Sequence, residues 1–184
     1  MKLLRKLTGP FIVGALALVM QIVDQVLATD SIVKELLPGG GGWIAFQAWA
    51  VYFFSGSKLE GGIKALISYI LGIIASVAIF EMGAGIGGFM GVPIALLVIV
   101  TIANCNGYFK WIDNVPALFI GAGAYFCIMS YIAPTAAAPY TGDYVSFALV
   151  ELFYCVFGLV FGWITIGLQG ICDKAFAKKM DAAA

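Results

Sequence analysis

The segment 144–171, YVSFALVELFYCVFGLVFGWITIGLQGI, decides the fold class of this chain. A membrane-spanning helix needs about 20 mainly apolar residues, and Glu151 is the only charged residue in the segment. Read as one helix, its polar and small residues recur every three or four positions and therefore share one face. These residues are Glu151, Tyr154, Cys155, Gly158, Gly162, Thr165 and Gln169. The sequence predicts a transmembrane helix whose bulky face meets lipid.

Two interpretations of the polar face remain open. Gly158 and Gly162 form a small-xxx-small pair, which lets a neighbouring helix approach closely, so the face could be a packing seam only. Glu151 favours a functional face, because a carboxylate inside an apolar run is costly unless it has a partner or reaches water.

The composition of the whole chain indicates one integral membrane domain, 1–184. Of its 184 residues, 62% are hydrophobic and 11% charged, and the mean hydropathy is +1.03. A soluble domain has about 25% charged residues. The net charge is zero and the basic residues are scattered, so we expect the lipid bilayer as a partner and no nucleic acid.

Several chemistries lack the residues that they need. The chain has no histidine, which excludes imidazole metal ligands and the usual pH switch. The four cysteines form no CxxC pair, so neither a zinc site nor a disulfide framework is indicated. No nucleophile–base pair is recognisable. We therefore expect no metal, no cofactor and no enzymatic activity.

The apolar runs predict an all-α protein with six transmembrane helices. The expected spans are 10–29, 39–55, 61–82, 89–104, 115–133 and 144–171. The first run resembles a signal peptide, but Gln21, Asp24 and Gln25 interrupt it, and we interpret it as a retained helix. The second run is short, so Gly39–Gly42 is either helical or a non-helical, re-entrant stretch.

Loop charges predict the orientation. On one side of the predicted spans lie Lys2, Arg5, Lys6, Lys58, Lys64, Lys110, Lys174, Lys178 and Lys179. Only Lys34 falls on the other side. Because basic loops stay in the cytoplasm, both termini are expected there, in a bacterial inner membrane.

The two halves of the chain show a possible three-plus-three inverted repeat, an arrangement that many transporters share. Residues 45–53 resemble 118–126, with Tyr-Phe ending both segments. Gly72 and Ser76 correspond to Gly158 and Gly162. The polar triplet of Gln21, Asp24 and Gln25 corresponds to Thr101, Asn104 and Cys105. The alternative is chance, because hydrophobic helices align with many sequences.

Polar and aromatic residues within the spans are the candidates for a pore or substrate site. Asp24, Glu81 and Glu151 fall toward the extracytoplasmic half, which predicts an acidic mouth, and Asn104 lines the opposite mouth. The candidates are Gln21, Asp24, Gln47, Trp49, Asn104, Tyr125, Glu151 and Tyr154. The residues expected to pack helices are Gly72, Ser76, Gly121, Gly158 and Gly162.

The runs 41–50, GGWIAFQAWA, and 115–121, VPALFIG, resemble a small bacterial inner-membrane family, domain of unknown function family 1097. The resemblance covers about Val13 to Leu168 and implies no established activity. In size and layout the chain is more loosely similar to the urea/amide channels and the acetate-succinate channels, both hexameric rings. It departs from them in lacking histidine and in replacing the Asn-Pro signature by Asn114-Val115-Pro116.

The favoured function is a channel or facilitator for a small polar solute such as urea, an amide, a short acid or an amine. One alternative is a proton- or cation-coupled secondary transporter in which Glu151 and Asp24 are the coupling carboxylates. Another is a membrane scaffold subunit without transport activity. Small-residue faces on several helices also predict a homo-oligomer.

Overall fold

A computed structural model describes residues 2–29, 32–133 and 143–181, and the side chains within 6–29, 32–133 and 143–178. The described residues are all-helical and contain no β-strand. The elements are α1 (Lys2–Thr29), α2 (Ile32–Leu36), α3 (Gly42–Phe54), α4 (Leu59–Ile86), α5 (Gly91–Asn104), α6 (Val115–Cys127) and α7 (Tyr144–Asp181). A 3-10 helix (Cys105–Tyr108) continues α5, and a π-helix (Ile128–Ile132) continues α6.

Five of the described helices are long and apolar enough to cross a membrane. They are α1, α4, α7, and α5 and α6 together with their continuations. Long helices suit this environment because lipid offers no hydrogen bonds, so each helix must satisfy its own backbone groups. The prediction of an all-α membrane protein agrees with these helices.

Two helix boundaries differ from the sequence-based spans. α1 begins at Lys2, so Pro10 lies inside the helix rather than at its start. A proline in a helix interior leaves one backbone carbonyl without its usual N–H donor. Membrane helices tolerate this because groups on neighbouring helices can donate to the freed carbonyl instead. α7 continues to Asp181, well beyond the expected end at 171, because polar residues in water do not by themselves end a helix.

The second expected span, 39–55, is only partly helical. Gly39 and Gly40 have positive φ angles of 95° and 86°, a conformation that favours glycine. The helix that follows has 13 residues and is therefore about 20 Å long. The Gly39–Gly41 stretch is thus a non-helical segment that precedes a short helix, and its Gly40 and Gly41 are buried by other parts of the chain.

Two helix pairs form the centre of the bundle: α3 packs against α7, and α4 packs against α6. α1 lies against α7, and α5 lies against α4. Each central pair has a glycine at its closest approach. A Cβ atom at Gly158 would collide with the carbonyl oxygen of Ala45, and one at Gly72 with that of Leu118.

The other expected packing residues also lie within the chain's own core. A Cβ atom at Gly121 would lie 2.9 Å from the Tyr69 backbone, and one at Gly162 would lie 2.6 Å from Tyr52 Cβ. Ser76 donates a 3.0 Å hydrogen bond to the Ala122 carbonyl. These small residues therefore join helices of one chain.

Polar contacts outside the apolar runs define the start of two long helices. The side chain of Asn114 accepts a hydrogen bond from the Ala117 N–H at the start of α6. The side chain of Asp143 accepts one from the Ser146 N–H at the start of α7. The Ser146 hydrogen bonds hold the pKa of the Asp143 carboxyl below its ordinary value.

Candidate functional site

Asp24 is the first centre of the candidate site. It lies near the end of α1 with a side chain that is only 3% exposed. Its Oδ1 accepts a 2.9 Å hydrogen bond from the Gly41 N–H and a 2.7 Å hydrogen bond from the Tyr154 hydroxyl. Gly41 is also the N-cap residue of α3, directly before its first helical residue. The positive end of the α3 dipole therefore faces the carboxylate, an arrangement that stabilises negative charge.

The glycine segment 40–42 is shaped around Asp24 and Tyr154. A Cβ atom at Gly40 or at Gly42 would lie 2.6 Å from an Asp24 carboxylate oxygen, and one at Gly41 would collide with the Tyr154 ring. Any other residue would push the backbone away from the carboxylate. The run of glycines in the sequence is therefore explained by the close approach of backbone to side chain.

Glu151 is the second centre, one helical turn before Tyr154 on α7. Its side chain is 0% exposed, and among the described residues neither carboxylate oxygen has a hydrogen-bond partner. Within the same residues, the Tyr69 hydroxyl on α4 is also buried without a partner. Tyr69, Cys155 and Glu151 lie close enough to interact electrostatically. Because more than 90% of buried polar groups are hydrogen-bonded in proteins, this cluster is a candidate for function.

Within the described part of the chain, neither acid has a basic partner. Among the residues that the structure describes, no ion pair involves Asp24 or Glu151, and Lys64 pairs instead with Glu60 and Asp113. A buried charge without a counter-charge or a hydrogen bond is costly, so the surroundings of Glu151 favour its neutralisation by a proton or a cation.

Trp49 and Tyr125 are buried, but each has a hydrogen bond of its own. The Trp49 indole N–H donates to Thr165 Oγ1 over 3.0 Å, which joins α3 to α7. The Tyr125 hydroxyl donates to the Tyr144 carbonyl over 2.7 Å at the start of α7. These contacts serve the packing of helices in this conformation.

We expect Thr165→Val to lower the free energy of unfolding by about 1–3 kcal/mol, because it leaves the buried Trp49 N–H without an acceptor. Thr101→Val is the matched control: Thr101 is exposed and bonds only the Leu97 carbonyl of its own helix. Thermal unfolding in detergent measures both. Equal midpoints for the two variants would show that the indole bond contributes nothing.

The remaining pore candidates lie apart from this centre. Gln21 and Gln47 are exposed on the outer surface of the bundle. Asn104 is half-buried and donates a 2.9 Å hydrogen bond to the Val100 carbonyl of its own helix. The structure thus brings Asp24 and Tyr154 together, with Glu151 one turn away. The side chains of Gln21, Gln47 and Asn104 are not part of this group.

Sequence reasoning missed Tyr69 and Gly40–Gly42 as members of the site. Tyr69 follows Ser68, which belongs to a small-residue face of α4 that is visible in the sequence, together with Ala65, Gly72 and Ser76. That face could have indicated which side of α4 points inward, but not that Glu151 lies near Tyr69. Ser68 is itself fully buried, and among the described residues its hydroxyl has no partner.

Comparison with known proteins identifies the family and no activity. Neither a curated protein nor a solved structure matches the chain, so the likeness to urea and acetate channels stays a prediction. One family model, described as "Protein of unknown function (DUF1097)", matches residues 12–170. Since this match covers most of the sequence, the chain belongs to the DUF1097 family.

Proposed function

We propose that the protein is a proton-coupled secondary transporter for a small polar solute, with Glu151 as the residue that binds the proton. The observation that carries the proposal is the fully buried Glu151 carboxyl group, which has no hydrogen-bond partner among the residues that the structure describes. A membrane-embedded carboxyl group is a frequent proton relay in pumps and transporters. Asp24, fixed by Gly41 and Tyr154, is the second acidic group of the same centre.

The tight enclosure favours a proton over a larger cation at Glu151. Glu151, Tyr69 and Tyr154 are all 0% exposed, so a water molecule does not fit beside them. An isolated ionised carboxylate in such surroundings costs so much that the group neutralises instead. A proton can bind there without any rearrangement of the helices, whereas a solute needs the site to open.

The same enclosure favours alternating access over a permanently open channel within one chain. Asp24, Trp49, Tyr125, Glu151 and Tyr154 are each at most 3% exposed. An aqueous pore lined by these residues would leave them in contact with water. A carrier that opens to one side at a time accounts for buried polar groups in its closed state.

Contacts between helices support the proposed three-plus-three inverted repeat. The sequence match pairs Gly72 with Gly158, and Ala45 with Leu118. In the structure Gly158 touches Ala45 and Gly72 touches Leu118. Exchanging each residue for its counterpart in the other half of the chain therefore converts one contact into the other. The same operation exchanges the pair α3–α7 with α6–α4, and the pair α1–α7 with α5–α4. Glu151 on α7 and Tyr69 on α4 then lie between the two halves, where transporters of this type bind substrates and ions.

We further propose that α3 makes a sixth crossing and that both termini lie in the cytoplasm, at a bacterial inner membrane; the loop charges support this orientation. We expect alkaline phosphatase fused after Ala184 to be inactive, and green fluorescent protein at the same position to be fluorescent. Fusions after Ile86, at the end of α4, should show the reverse activities. An active phosphatase fused after Ala184 would overturn the orientation.

Flux in liposomes tests the function. Purified protein is reconstituted with a pH-sensitive dye inside the vesicles, and a panel of amines, amides and short acids is added under an imposed pH gradient. We expect at least one solute to accelerate proton movement and to accumulate against its own gradient. Protein-free liposomes and heat-inactivated protein are the controls.

Two other results would contradict the proposal in different ways. Solute flux that stops at equal concentrations and ignores the pH gradient would establish a channel or facilitator. No flux of any tested solute and no proton movement would favour a scaffold. Native mass spectrometry of the same sample measures the proposed homo-oligomer, which would use faces other than the internal seams at Gly72 and Gly158.

A further inference from the structure

The described helices form two packing units. In the first unit, α7 packs against α3, α1 and α2, and in the second unit, α4 packs against α6 and α5. Contact between the units lies mainly between α4 and α7 and is less extensive than within either central pair. Glu151 on α7 and Tyr69 on α4 belong to different units. A movement of one unit against the other would therefore expose Glu151 and leave the glycine contacts at Gly72 and Gly158 intact, because each of them lies within one unit.

Tyr144, the first residue of α7, joins the two units at one end of the bundle. Its hydroxyl donates a 2.6 Å hydrogen bond to Glu81 Oε1 near the end of α4. Its carbonyl accepts a 2.7 Å hydrogen bond from the Tyr125 hydroxyl on α6. Both partners belong to the second unit, which thus holds the start of α7 by its side chain and by its backbone. Glu151 follows two helical turns later on α7, about 10 Å along the helix axis.

Asn114 joins the two units at the opposite end. Its Nδ2 donates a 2.8 Å hydrogen bond to the hydroxyl of Ser55, the residue directly after α3. The preceding residue, Asp113, forms a 3.4 Å ion pair with Lys64 near the start of α4, which fixes this loop to the second unit. Lys64 and Glu81 lie about 25 Å apart along α4. The two hydrogen-bonded contacts between the units are therefore at opposite ends of the bundle, with Glu151 between them.

We propose that the Tyr144–Glu81 and Asn114–Ser55 contacts are two gates, each of which closes one route to Glu151. This inference rests on the proposed alternating access and names the residues that control it. Both gates are closed in this structure, in agreement with the complete burial of Glu151. Each gate is a side-chain hydrogen bond outside the core, and such a bond contributes little net free energy. A gate can therefore open at a small cost, whereas the backbone contacts at the glycines cannot separate so easily.

Cys155 provides a reporter for the opening of either gate. It lies one helical turn after Glu151, and its side chain is 1% exposed. The other cysteines, Cys105, Cys127 and Cys172, are replaced by serine, and a membrane-impermeant thiol reagent is added to right-side-out or inside-out membrane vesicles. We expect Tyr144→Phe to accelerate modification of Cys155 about two- to tenfold from the face at which α7 begins, the range that corresponds to one lost hydrogen bond. Ser55→Ala should have the same effect from the opposite face only.

Tyr131→Phe and Thr101→Val are the matched controls. Both residues are exposed and lie away from the gates, so Cys155 should react at the parent rate in these variants. Each variant is first checked for a single peak in size-exclusion chromatography, and Glu81→Leu replaces a misfolded variant of Tyr144.

The side of the effect decides the outcome. A gate variant that leaves the rate unchanged would overturn the gate at that end, and faster modification from both faces would indicate general loosening and overturn both gates. The measurement needs no solute, so it is independent of the flux experiment. One-sided acceleration without flux of any solute would keep the gates and contradict transport, whereas coupled flux with unchanged rates would contradict only the gates.

Discussion

Replacing Gly158 with alanine is expected to lower the free energy of unfolding by about 1–3 kcal/mol, the usual cost of overpacking a closely packed interface. A Cβ atom at this position would collide with the Ala45 carbonyl oxygen and would also lie 2.8 Å from Ala48 Cβ. A backbone carbonyl cannot rotate away as a side chain can, so α3 and α7 must separate.

Gly167 provides the matched control on the same helix. Among the described residues, no atom outside the backbone of its own helix turn and its two chain neighbours would lie within 4 Å of a Cβ atom at Gly167, and alanine favours a helix over glycine by about 1 kcal/mol. We therefore expect Gly167→Ala to be neutral or stabilising. Thermal unfolding in one detergent compares both variants with the parent chain. The packing explanation is wrong if Gly158→Ala unfolds at the same temperature as Gly167→Ala.

Gly72, the counterpart of Gly158 in the proposed repeat, allows the same experiment to compare the two helix interfaces. Gly72→Ala should be destabilising to a similar extent, because its Cβ atom would meet the Leu118 carbonyl oxygen. Similar losses at both glycines are expected if the two seams are equivalent. A loss of stability at only one of the two glycines would indicate that the two helix interfaces contribute unequally to the free energy of unfolding.

Replacing Glu151 with glutamine is expected to reduce pH-driven accumulation of the solute to the level of protein-free liposomes. Glutamine is close in shape to glutamate but cannot gain or lose the proton. Exchange of solute down its gradient should survive, because it needs the helices to move but needs no net proton transfer. Accumulation and exchange are measured in the same liposome preparation with radiolabelled solute.

Glu60→Gln is the control for this substitution. Glu60 is an exposed carboxylate at the start of α4, so its loss should leave both accumulation and exchange unchanged. Parent-like accumulation by Glu151→Gln would remove Glu151 from the mechanism. A variant that loses thermal stability while keeping accumulation would assign Glu151 a role in packing.

The long helices were predictable because they depend on local composition. An apolar run of sufficient length must form a helix in lipid, where every backbone group needs a partner within its own segment. The inward face of α7 was equally visible, since Glu151, Tyr154 and Gly158 recur with the helical period. The limits of this reasoning appear at Gly39–Gly42, where the sequence left open whether the segment is helical or non-helical.

The partners of these faces depended on how the helices pack. Asp24, Gly41 and Tyr154 are far apart in the chain, and their hydrogen bonds form only because α1, α3 and α7 converge. Periodicity gives the direction of a side chain around its own helix, but not the neighbour, depth or rotation of that helix. Hydropathy therefore sufficed for the all-α membrane class, whereas only the packing of helices showed that, within the described residues, Asp24 has two donors and Glu151 has none.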